Sequence, residues 1–61
     1  MKTSELLRRI KKRGCCLYRH GTRHNIWINP ATRNTAQIPR HKTKELGAGL
    51  VDDILTKLDL K

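Results

Sequence analysis

Residues 15–39 read CCLYRHGTRHNIWINPATRNTAQIP, three short runs of strand-forming residues parted by turn formers. The runs are Cys15 to Arg19, Asn25 to Asn29 and Thr35 to Ile38. Gly21 marks the first turn, and Asn29-Pro30-Ala31-Thr32-Arg33-Asn34 is rich in the residues of a second. The pattern predicts three antiparallel strands. In the middle one, Ile26, Trp27 and Ile28 are consecutive, so apolar side chains leave both faces of the sheet.

Working outward, Leu6, Leu7 and Ile10 recur at helical spacing between a capping pair, Thr3-Ser4, and a stop, Gly14. This predicts a helix over about residues 4–13, with Glu5 suited to its positive first turn. Its outer face carries Arg8, Arg9, Lys11, Lys12 and Arg13, of which the last-turn cations also suit the negative helix end. Downstream, Pro39 closes the third strand and Arg40-His41-Lys42-Thr43-Lys44 forms a basic loop. Leu46, Leu50, Ile54 and Leu58 then step by four, with Val51 and Leu55 alongside, which predicts a second helix over about residues 48–58. The order α-β-β-β-α gives an α+β fold: a three-stranded antiparallel sheet with two helices on one face.

Sixty-one residues, 36% of them apolar, suffice for one small domain over residues 1–61 with a thin core and no deep cofactor pocket. Lysine and arginine number 14 against 5 acids, a net charge of +9. Twelve of those bases fall in residues 1–44, where Glu5 is the only acid, so the first three quarters of the chain should attract phosphate polymers. The longest apolar run, Cys15 to Tyr18, is far short of the roughly 18 residues of a membrane span, and polar Thr3-Ser4-Glu5 stands where a signal core would begin. A soluble cytoplasmic protein with no membrane partner is expected. Cys15 and Cys16, adjacent in sequence, cannot form a framework of bridges, and small buried cysteines in a reducing compartment are the expectation.

Cys15, Cys16, His20, His24 and His41 are zinc-binding residue types, but neighbouring strand residues point to opposite faces and no pair has knuckle spacing. No metal is expected. Asp52 and Asp53 project about 100° apart on one helix, which does not suit a two-metal nuclease. Ser4 reads as a cap, and no acid lies near either cysteine to complete a triad. Histidine among cations remains. It exchanges protons near neutral pH, and flanking Arg or Lys would hold a phosphate. Only RNA brings its own nucleophile, the 2′-hydroxyl beside each phosphodiester.

Met1-Lys2-x-Ser4-Glu5-Leu6, Gly21-Thr22-Arg23-His24, Ile38-Pro39-Arg40-His41 and Leu50-x-x-x-Ile54-Leu55-x-x-Leu58 together resemble the HicA-type toxins, mRNA interferases of bacterial toxin–antitoxin pairs. The resemblance spans nearly the whole chain. It implies a double-stranded-RNA-binding-domain-like fold, mRNA as substrate, no cofactor and a HicB-type antitoxin as partner. It also implies a catalytic histidine in a Gly-Ser/Thr-x-His pattern, which falls here on Gly21, Thr22 and His24. The sequence departs from the family at the Cys15-Cys16 pair and at Asp52-Asp53, where the second helix tends to be basic.

Three expectations follow. Arg23, Arg40, His41, Lys42 and Lys44 line a channel for the RNA backbone, His41 being also a candidate general acid. Ile26, Trp27 and Ile28 form a surface for the antitoxin or a second copy, since the helices can cover only one face. His24 lies on the open face, with Trp27 turned inward, while His20, before the turn, is dispensable. Two rivals are a non-catalytic RNA-binding module of the same fold and a DNA-binding autoregulator. Gly47-Ala48-Gly49 and Asp52-Asp53 occupy the place where the first would carry phosphate-gripping lysines, and the second lacks a recognition helix.

Overall fold

The computed structural model describes residues 1–61 and has the expected order. The elements are α1 (Thr3–Lys12), β1 (Cys16–His20), β2 (His24–Asn29), β3 (Asn34–Pro39) and α2 (Ala48–Lys57). The sheet runs β1-β2-β3, antiparallel throughout. Ala36 lies opposite Trp27 and Ile38 opposite Asn25, while the β1–β2 pairing slips between Leu17 and Arg19, leaving Tyr18 as a bulge.

The helix ends show why the chain starts and stops where it does. Lys2, rather than Thr3 or Ser4, is the N-cap of α1. Thr3 is fully buried, and its hydroxyl donates to the Lys44 carbonyl at 3.1 Å. The amides of Thr3 and Ser4 donate to the carbonyls of Lys44 and Lys42 at 2.9 and 3.0 Å, so the basic loop supplies the acceptors that a capping side chain would have given. At the other end Gly14, at φ +95°, is the left-handed residue of a Schellman motif: its amide reaches Lys11 and that of Cys15 reaches Ile10. The same motif closes α2, with Asp59 at φ +57°.

Leu6 and Ile10 of α1, Trp27, Ala36 and Ile38 of the sheet, Ile54 and Leu58, together with Cys15 and Leu46, form the core. Burying each large aliphatic side chain contributes about 1.5–3 kcal/mol. Asn29 joins the layers: buried in the β2–β3 turn, it accepts from the Ala31 amide at 3.1 Å and donates to the Leu58 carbonyl at 2.8 Å. The apolar stripe of α2 is narrower than its spacing suggests. Leu50 is 42% exposed, and Leu46 lies ahead of the helix, its amide bonded to the Met1 carbonyl at 2.8 Å. Cys15 is buried but Cys16 is exposed, against the expectation for the pair, because Cys16 pairs with Ile28 of β2 on the face of the sheet away from the helices. No helix is long and apolar enough to cross a membrane.

Candidate active site

The position of His24 follows from the turn before it. The Gly21 amide donates to the His24 carbonyl at 2.8 Å, closing the β1–β2 hairpin. The backbone comes so near that a Cβ on Gly21 would collide with the His24 carbonyl oxygen. His24 is thereby set at the first position of β2, exposed, on a paired strand.

Two-residue alternation decides which way it faces. Trp27 is only 6% exposed and lies in the core, with Lys11 Nζ 5.5 Å from its ring centre. Ile26 and Ile28 are half-buried and, like His24, out of step with Trp27, so the three share the open face. Trp27 must therefore be removed from the expected partner surface: its indole is consumed by packing against the helices. Ile26 and Ile28 remain.

Three shallow depressions meet at His24. One, of about 240 Å³, is bounded by Gly21, Thr22, Arg23, Ile26 and Gln37. A second, of about 460 Å³, is lined entirely by polar residues and proline: Thr22, Arg23, His24, Pro39, Arg40, His41 and Lys44. The third, of about 200 Å³, lies towards α2. The structure thus brings Arg23, His41 and Lys44 together around His24 with no acid among them, while Arg40 borders the same depression but turns its Nε to Asn25 on the other face. Lys42 does not join them. It turns to the α1 side, where it borders a depression with Ser4, Leu7, Arg8 and Lys11, because its carbonyl is held by the Ser4 amide.

Arg40 is steadied by Asn25, whose Oδ1 accepts from Arg40 Nε at 3.2 Å and pairs with His20 Nδ1 at 3.0 Å. Since that oxygen can only accept, His20 donates to it through Nδ1. His20 is thus on the face of the sheet opposite His24, four residues away in sequence but held by Asn25. His, Cys, Asp and Glu side chains nowhere gather in threes. Burial, and secondarily the neighbouring Cys16, pushes the Cys15 thiol above its ordinary pKa, which keeps it an unreactive core residue.

Gln37 borders two of the three depressions and was not legible as a site residue. It lies 13 positions beyond His24 in sequence, and only the pairing of Ile26 with Gln37 brings it alongside. A polar residue between buried Ala36 and Ile38 marks it as outward-facing, but the register is needed to place it.

No curated protein and no solved structure matches the chain. The family model of the HicA toxin of bacterial toxin–antitoxin pairs does match, over residues 3–60, nearly the whole of the α-β-β-β-α domain. The chain accordingly belongs to the HicA toxin family.

Proposed function

We propose that this toxin is a metal-independent endoribonuclease that cuts mRNA in the cytoplasm with His24 as general base, and that a HicB-type antitoxin silences it. The observation that carries the reading is the polar depression in which His24 and His41 stand with Arg23 and Lys44. A cationic hollow beside a rigidly mounted imidazole suits a phosphodiester, and the 2′-hydroxyl of RNA removes the need for a metal-activated water.

Neutral His24 takes the proton of the 2′-hydroxyl. The oxygen attacks the adjacent phosphorus, the bond to the 5′-oxygen breaks, and a 2′,3′-cyclic phosphate forms. His41 donates the proton that the departing 5′-oxygen needs. Arg23 and Lys44 stabilise the negative charge that grows on the phosphoryl oxygens. The antitoxin covers Ile26 and Ile28, close enough to His24 to block the substrate, and an acidic antitoxin would be steered there by the +9 charge.

Labelled RNA incubated with the protein in EDTA tests this. Cleavage to cyclic-phosphate ends is expected. Binding without cleavage would leave a non-catalytic RNA-binding module, and cleavage only on adding Mg²⁺ would overturn the metal-free mechanism.

A further inference from the structure

The third depression beside His24 differs chemically from the cationic one. Leu50 is its exposed apolar wall, Pro39 and Ile54 being buried beneath it, and Gln37, Asp53 and Lys57 edge it. Leu50 is a large apolar side chain left 42% exposed at the start of α2, although the rest of the stripe packs inward. The acids that set α2 apart are neutralised locally: Asp53 pairs with Lys57 at 3.1 Å, and Asp52 with Lys61. So α2 does not repel an anion here.

RNA has two parts of opposite character, a charged backbone and flat bases with apolar faces. Around His24 the protein offers one hollow suited to each, cationic on the loop side and, on the α2 side, one where Leu50 lies exposed beside Gln37. We infer that the hollow between His24, Gln37 and Leu50 is a subsite for the base next to the cleaved phosphodiester. This rests on the ribonuclease reading above. Leu50 contacts one face of the ring, and the Gln37 carboxamide bonds its edge. A carboxamide offers one donor and one acceptor side by side, the match for adenine N7 and N6. Uracil N3–H and O4 fit the same pair, so the preference for adenine over uracil comes from the larger face that a purine lays on Leu50.

Two measurements separate this inference from the reading it rests on. First, the protein is titrated with adenosine and uridine 5′-monophosphates, which hold no phosphodiester to cut, while backbone amide shifts are followed. Shifts at Gln37, Leu50 and Ile54 that are larger for the adenine nucleotide are expected. Shifts confined to Arg23, Arg40 and Lys44 and equal for both nucleotides would overturn the subsite even if RNA is cut. Second, cut positions are mapped on one long RNA for the wild type, Gln37→Leu and Leu50→Ala. Both substitutions are at exposed positions, so folding should persist. Adenine preference beside the cut should fall severalfold in Leu50→Ala, whereas Gln37→Leu should weaken cutting beside either base. An unaltered distribution of cuts in both variants would contradict the subsite while leaving the ribonuclease reading standing. Failure of the wild type to cut any RNA would instead remove that reading.

Discussion

On β2, Trp27 and Asn29 face the helices and are almost sealed from solvent, whereas His24, Ile26 and Ile28, one residue out of step, face away from them. The inner set is occupied by packing and by the Asn29 bond to the Leu58 carbonyl; the outer set lies outside the core. The difference shows how a chain of 61 residues holds both a core and a site: alternation along one central strand assigns stability to one face and leaves the other free. It also implies that the two can be damaged separately.

The largest effect should come from the inner face. Trp27→Ala empties the middle of the core and should cost about 3–5 kcal/mol, read from denaturant midpoints. In so small a domain that approaches the whole stability. A loss under about 1 kcal/mol would mean that the indole is not packed as described. Asn29→Ala should cost less, about 1–3 kcal/mol, by leaving the buried Leu58 carbonyl without its donor. Both variants, in the fraction that stays folded, should retain RNA binding, because neither side chain is on the outer face.

The basic loop sharpens the comparison more gently. Every cation that ceases to neutralise a phosphate of single-stranded RNA should flatten the salt dependence of affinity by about 0.7 in log–log slope. Lys44→Gln should therefore flatten it by about that much, whereas Lys42→Gln should leave the slope nearly unchanged. Equal effects from Lys42 and Lys44 would contradict their placement on opposite sides of the loop. The smallest effect concerns the edge strand: a thiol reagent should label Cys16 quickly in the native protein and Cys15 only on unfolding.

Much of this was legible before the fold. The three strand runs, the Gly14 and Pro39 stops and the four-step stripe are local signals, and each element ends within a residue or two of where those signals place it. Trp27 turning inward with His24 outward follows from parity alone once one of them is placed. The separation of Lys42 from Lys44 was not legible, because it depends on the amides of Thr3 and Ser4 reaching across some 40 residues to the loop carbonyls. Nor was Leu50: a spacing of four marks a helix face without saying how wide a strip of it the sheet will cover. Gln37 required the β2–β3 register, a property of two strands together.

The central claim is that the outer face of β2 carries the chemistry through His24. The direct measurement is the cleavage rate of His24→Ala, made alongside its melting curve and RNA affinity and compared with His20→Ala. Loss of a positioned proton acceptor should lower the rate by about 10² to 10⁴ while melting and RNA binding stay close to wild type, and His20→Ala should keep most of its activity. A folded His24→Ala protein that still cuts RNA at close to the wild-type rate would contradict the account.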